Sequence, residues 1–192
     1  MNLKNRTFAI FIIILLFLIT QGCSKRTTDI NFIFNSFGMS MKGFNDFIVI
    51  ENKNNRFVAQ NNGIILTILL NENIEKKIAT KLVEDKTIIL ESQYEIRDAP
   101  YPGEITREVV CPEEFKPVKN VINNKNSIVN YQLYSTKSLT YGACAKDLIV
   151  YKAFLGFFYC DGKGLFQIEF FVPINDEEKF NETFKKISSF KC

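Results

Sequence analysis

The 192-residue chain contains no histidine and no tryptophan. The absence of histidine excludes Ser-His-Asp and Cys-His catalysis and the common zinc sites that use histidine ligands. The absence of tryptophan leaves 19 phenylalanines as the main aromatic bulk of the chain. Since no spacing of Ser, Asp, Glu or Lys indicates a catalytic group, we expect a non-enzymatic protein without a metal or an organic cofactor.

The chain also lacks a strong excess of charge of one sign. Lys and Arg number 24 against 21 Asp and Glu, and no basic cluster stands out. This balance does not favour a nucleic-acid partner. Gly162-Lys163-Gly164 superficially suggests a phosphate-binding loop, but it lacks the strand-to-helix setting of such loops and is interpreted as a turn.

The N-terminus has the organisation of an export signal. Residues 1–7 carry Lys4 and Arg6 and no acid, and residues 8–19 form an unbroken apolar run, FAIFIIILLFLI. This run is shorter than the ~20 residues of a membrane-spanning helix. A basic start, an apolar stretch and a small residue before a cleavage point are typical of a signal peptide.

The end of this segment, Gly22-Cys23, resembles the lipobox of bacterial lipoproteins, in which the cysteine becomes the diacylated N-terminus. The resemblance implies a signal peptide at residues 1–22, palmitate-type acyl chains on Cys23 and a membrane-anchored linker at residues 23–30. The protein would then be exported and held at the membrane of a bacterial cell envelope. Thr20 and Gln21 differ from the usual residues of the motif. An uncleaved anchor, or ordinary signal removal that leaves Cys23 as a thiol, are therefore the alternatives.

The four remaining cysteines are Cys111, Cys144, Cys160 and Cys192. They include no C-x-x-C pair, so their spacing does not favour a zinc site. In an exported chain they are expected to form two disulfides. If the last helix packs back along the sheet, Cys192 arrives near Cys160, whereas Cys144 precedes the far end of the strand that ends at Cys160. We therefore predict the pairs Cys160–Cys192 and Cys111–Cys144.

Short apolar runs between Asn- and Gly-containing turns predict strands, because Asn and Gly tolerate left-handed backbone. The run at residues 64–70 is apolar on both sides, which predicts a central strand covered on both faces. A tight turn is expected at residues 161–164 and a bulge at Gly156. The predicted strands are residues 47–51, 56–60, 64–70, 87–96, 128–136, 148–160 and 165–172.

Two segments have helical periodicity. Ile74, Ile78 and Leu82 recur at four-residue spacing within residues 71–84, and a second apolar stripe lies within residues 176–190. Residues 31–44 are interpreted as an irregular first strand that packs in the core, or as a flap. Residues 105–126 are interpreted as a surface excursion or a binding loop with room for a short helix. The stripe of the closing helix consists of Phe180, Phe184, Ile187 and Phe190.

These elements predict one α+β domain over residues 31–192, a mainly antiparallel sheet with two amphipathic helices packed on one face. The order of strands, a helix, more strands and a closing hairpin with a helix resembles the PsbP/Mog1 class of small α+β domains over roughly residues 44–190. The resemblance lies in the architecture alone. It implies an accessory or regulatory role.

Two functions are consistent with this reading. The first is a lipid-anchored accessory or interaction lipoprotein that binds another envelope protein and touches the membrane through its lipid. The alternative is a binder or carrier of an apolar small molecule or lipid, with a pocket lined by Phe and Ile. A carrier is expected to contain a deep apolar cavity. An interaction protein is expected to have a solid core and an exposed apolar patch.

Overall fold

A computed structural model describes residues 29–94, 113–119, 121–136 and 149–192. The predicted signal peptide and Cys23 lie outside these residues, as do Cys111 and Cys144. The predicted Cys111–Cys144 pair and the lipid anchor therefore stay predictions.

The described strands form one antiparallel sheet of seven strands. The helices lie before, between and after groups of strands, which confirms the predicted α+β class. The elements are α1 (Ile30–Ser36), β1 (Ile48–Lys53), β2 (Arg56–Asn61), β3 (Ile64–Glu72), α2 (Lys76–Tyr94), a 3-10 turn (Glu113–Phe115), β4 (Val118–Lys119), β5 (Ser127–Thr136), β6 (Ile149–Cys160), β7 (Gly164–Pro173) and α3 (Glu177–Ser188). The order of the strands in the sheet is β1-β2-β3-β7-β6-β5-β4.

The predicted turns join these strands. Asn54 and Asn55, between β1 and β2, have φ angles of 47° and 61°, and Gly63, between β2 and β3, has a φ angle of 85°. These left-handed angles are the ones that Asn and Gly adopt most readily. Gly164 closes the β6–β7 turn at φ 132°, where a Cβ atom would lie 2.0 Å from the carbonyl oxygen of Asn71.

The sheet has helices on both faces. Side chains of Phe166, Ile168 and Phe170 on β7 pack with α1 and α3 on what we call the first face. The alternate residues Leu165 and Phe171 pack with α2 on the second face. The two amphipathic helices predicted to share one face therefore lie on opposite faces. The reason is that β6 and β7 are apolar on both sides, so each side needs a cover.

Helix α2 is longer than predicted. It includes residues 87–94, so the prediction of a strand over residues 87–96 is wrong for these residues. The buried positions of α2 are Ala79, Val83 and Leu90, at helical spacing. Ile78, predicted to lie on the buried stripe, is 57% exposed. No Gly or Pro lies between residues 73 and 94, so nothing in the chain interrupts the helix.

The apolar segment after residue 29 is helical rather than extended at its start. The carboxylate of Asp29 accepts a hydrogen bond from the backbone N–H of Asn31 at 2.9 Å, a helix-capping contact. The predicted core role of this segment is right. Its buried side chains are Ile30, Ile33, Phe34, Met39, Met41 and Phe44.

Residues 149–192 form the strands, the turn and the helix that the sequence predicts, except for the bulge at Gly156. Cys160 and Cys192 form the predicted disulfide, with their Cα atoms 5.5 Å apart. Gly156 pairs with Asn130 on one side and Ile168 on the other, in a register that shifts only elsewhere along β6, so the predicted bulge there is wrong. The glycine is needed for space, because a Cβ atom would lie 2.6 Å from the ring of Phe158.

Candidate interaction surface

Helix α2 covers only part of the second face. It packs over β5, β6 and β7. On β3, the first-face residues Leu66 and Ile68 are fully buried, whereas Ile65, Thr67 and Leu69 on the second face are only half-buried. Ile65 also packs against the second-face cluster, so the prediction that this strand is covered on both faces holds fully for the first face and only in part for the second.

One flank of α2 borders this partly covered region. Glu91 and Ile89 lie on either side of the buried Leu90, each about 100° around the helix. Since Glu91 reaches Tyr131 on β5, Ile89 lies on the side of β3. Ile78 is eleven residues earlier, which places it within about 20° of Ile89 on the same flank.

Large apolar side chains are exposed on this flank and on the neighbouring edge strand. Ile78 is 57% exposed and Ile89 60%, and Ile88 beside them is 65% exposed. On β1, Ile48 is 58% exposed and pairs with Gln60, which in turn pairs with Ile65. Paired residues of neighbouring strands share a face. We call this surface the open face: Ile48, Ile65, Thr67, Leu69, Ile78, Leu82, Ile88 and Ile89.

A polar network holds α2 at the border of the open face. The ammonium of Lys86 lies 2.6 Å from the side-chain oxygen of Gln167, and Gln167 also donates a hydrogen bond to Glu169. Burial lowers the pKa of Lys86, and the nearby charge of Glu169 opposes this shift. Because Lys86 lies on α2 and Gln167 on β7, this hydrogen bond attaches the helix to that strand.

A second network holds the far end of α2. The hydroxyl of Tyr131 donates to Glu91 at 2.8 Å, and Lys119 forms an ion pair with the same carboxylate. The hydrogen bond between Lys119 and Glu91 lowers the pKa of Glu91. Burial raises the pKa of Tyr131. On the strand predicted at residues 87–96, Glu91 and Glu95 would share a wet face and both be solvated. Glu91 instead binds Tyr131 and Lys119, and Glu95 lies outside the described residues.

Two depressions in the described surface are open and are bordered by lysines. One, of about 470 Å³, lies between Lys42, Lys185 and Lys186. The other, of about 360 Å³, lies near Lys76 and Lys125. Neither has the enclosed apolar form that carriage of an apolar ligand requires.

The structure brings two of the five predicted site residues together, Cys160 and Cys192. The open face was missed because half of α2 was assigned to a strand. The uninterrupted run without Gly or Pro was the signal that could have found it. Among residues 29–94, 113–119, 121–136 and 149–192, no group of three or more Cys, Asp or Glu is placed to hold a metal ion. No helix within these ranges is long and apolar enough to cross a bilayer.

No protein-family model matches the sequence, and no curated protein or solved structure matches it.

Proposed function

We propose that the protein is a lipid-anchored accessory lipoprotein of a bacterial cell envelope that binds another envelope protein through its open face. The anchor is Cys23, which follows Gly22 at the end of an export signal. The observation that carries the binding role is the exposure of Ile78, Ile88 and Ile89 on one helix beside a part of the sheet that is only half-buried.

Exposed isoleucines in this arrangement favour a protein partner. Single exposed apolar residues are ordinary, but a contiguous group beside polar residues is typical of an interaction site. Lys86 and Glu91 attach α2 to β7 and β5. A partner would therefore meet a helix that is already fixed, which reduces the entropy lost on binding.

The packing of the first-face cluster supports this role over carriage of an apolar ligand. The rings of Phe154 and Phe170 are stacked 5.4 Å apart, and Phe158 lies 4.7 Å from Phe190. These are ordinary contact distances between aromatic side chains. The phenylalanines that would line a carrier's pocket are thus in contact with one another.

Site-specific photocrosslinking in intact cells tests the binding role. A photoreactive side chain at position 89 or position 78 of the full chain should give a discrete adduct with one envelope protein. The matched control is position 185 on α3, which is also exposed on a helix but lies on the first-face side.

An adduct from positions 78 and 89, absent from position 185, supports the proposal. The charged variant Ile89→Asp should remove the adduct formed from position 78, whereas Lys77→Asp on the same helix should not. Equal adducts from positions 89 and 185, or no adduct from positions 78 and 89, would contradict it.

A further inference from the structure

Helix α2 carries a row of four exposed side chains on the side that faces away from the sheet. Ile78, Lys81, Asp85 and Ile88 follow one another at spacings of three, four and three residues. They lie within an arc of about 80° around the helix, and each is about 120° or more from the buried Leu90. All four are exposed, Ile78 to 57% and Ile88 to 65%. This is the spacing of a seam along which two helices pack, and we call the four residues the outer ridge.

The outer ridge is symmetric about the level of Val83. Ile78 and Ile88 are each five residues from Val83, and Lys81 and Asp85 are each two residues from it. In an antiparallel pair of identical helices with a two-fold axis at this level, residues equally far from the axis on opposite sides face each other. Ile78 of each copy would then meet Ile88 of the other, and each Lys81 would meet an Asp85. The outer ridge is therefore complementary in charge and in apolar character to a second copy of itself.

The two charged side chains of the outer ridge are available for such pairs. Neither Lys81 nor Asp85 forms an ion pair with another residue that the structure describes. A parallel pair of helices would place the two Lys81 side chains together and the two Asp85 side chains together, and contacts between like charges are unfavourable. The charges therefore select the antiparallel arrangement, as polar residues within a helix seam do.

The rest of the outward side of α2 adds no net charge. Lys77 and Glu84 lie on the flank away from β3, so the outward side carries two lysines and two acids. Such a balance gives no attraction to a nucleic acid or to an anionic lipid surface. On the flank toward β3, the exposed Ile89 would lie beside Ile78 of the second copy and extend the apolar contact.

We propose that two copies of the protein associate through their outer ridges, in an antiparallel pair of α2 helices. The proposal rests on the binding role proposed above and names its partner, since a second copy is itself an envelope protein. The central ion pairs fix the register and the direction of the helices, and the isoleucines at both ends supply the apolar contact. The outer ridge is about 15 Å long, so the interface belongs to the small, transient class.

Photocrosslinking between two differently tagged copies of the full chain in intact cells tests the pair. One copy carries a photoreactive side chain at position 78, and the other copy carries none. The expected product contains both tags, and peptide mapping should place the link at residues 88–89 of the untreated copy. The reciprocal experiment, with the photoreactive side chain at position 88, should place the link at residue 78.

Exchange of the central charges tests the pairing itself. Lys81→Asp in both copies, or Asp85→Lys in both copies, brings like charges together and should reduce the product about tenfold. Coexpression of a Lys81→Asp copy with an Asp85→Lys copy restores opposite charges and should restore the product, which also shows that both variants fold. The matched control is Lys185→Asp on α3, which makes the same change of charge on the first-face side and should leave the product unchanged.

The outcomes separate this proposal from the binding role on which it rests. A product from position 78 that contains a different protein, or a link from position 78 to position 78, contradicts the antiparallel pair and leaves the binding role intact. Failure of the mixed variants to restore the product also contradicts the pair. No product at all from positions 78 and 89 contradicts both the pair and the binding role.

Discussion

The ammonium of Lys152 on β6 lies 2.7 Å from both carboxylate oxygens of Glu177 in the first turn of α3. Lys152 is only 8% exposed, and its ammonium lies 4.3 Å from the centre of the Phe180 ring. A cation–π contact of this kind adds to the ion pair. The pair therefore connects the start of the closing helix to the middle of the sheet.

We expect Glu177→Gln to lower the free energy of unfolding by about 1 kcal/mol, because the carboxylate is 61% exposed and the pair is partly screened by water. Lys152→Met should change stability less, since an apolar side chain of similar length leaves no buried charge. Urea unfolding of both variants measures the difference. A larger loss for Lys152→Met would show that the ammonium itself, rather than its partner, stabilises this end of α3.

The closing helix offers a comparison of two phenylalanines on one stripe. Phe180 is 3% exposed and contacts Phe170, with ring centres 5.1 Å apart, whereas Phe184 is only partly buried. Phe180→Ala should destabilise the fold by about 3–5 kcal/mol, the usual range for a buried Phe. Phe184→Ala should cost less, and equal midpoints in denaturant would contradict the packing described for α3.

The disulfide between Cys160 and Cys192 closes a loop with a sequence separation of 32. In the chain-entropy model such a loop contributes about 3–4 kcal/mol, so Cys192→Ser should lower stability by roughly this amount. Reductant should lower the stability of the wild type by at least this amount, because it would also break the predicted Cys111–Cys144 pair. Peptide mapping without reductant should recover Cys160 linked to Cys192, and a Cys144–Cys160 peptide would contradict both the sequence argument and the structure.

Acid should weaken the attachment of α2 to β5. The hydrogen bond to Lys119 holds the pKa of Glu91 below its ordinary value of 4.5. A depressed carboxyl pKa contributes stability that is present above that ordinary value and is lost as the pH falls through the folded value. Between about pH 5 and pH 2, the wild type should therefore lose more stability than Glu91→Gln, whereas Glu84→Gln should follow the wild type. Identical slopes for wild type and Glu91→Gln would show that the pair does not contribute.

The sequence predicted the hairpins and the closing helix because their signals are local. Asn54 and Asn55 adopt the left-handed backbone that turns require. Asp176 accepts a hydrogen bond from the backbone N–H of Lys179 at 3.3 Å, as a helix cap does. The position of Cys192 followed from the lengths of β7 and α3, which are set by their rise per residue.

The sequence failed where two periods fit the same residues. In residues 87–94, the apolar Ile88 and Leu90 are two residues apart and the acidic Glu91 would lie on the other face, which fits a strand. A continuous helix instead buries Leu90 together with Val83. The choice depends on which side chains the sheet covers, and this is a tertiary property. For the same reason the sequence could not place α2 and α3 on opposite faces, or show that Ile78 and Ile89 are left exposed.

Export and the attachment of the protein to the membrane both depend on the anchor at Cys23. The direct measurement is intact mass spectrometry of the protein extracted from membranes, with Cys23→Ala as the comparison. We predict that the mature wild type begins at Cys23 and carries acyl chains. The Cys23→Ala variant should carry no acyl chains and should be released from the membrane. A mature protein that retains residues 1–22, or that has an unmodified thiol at Cys23, would contradict the account.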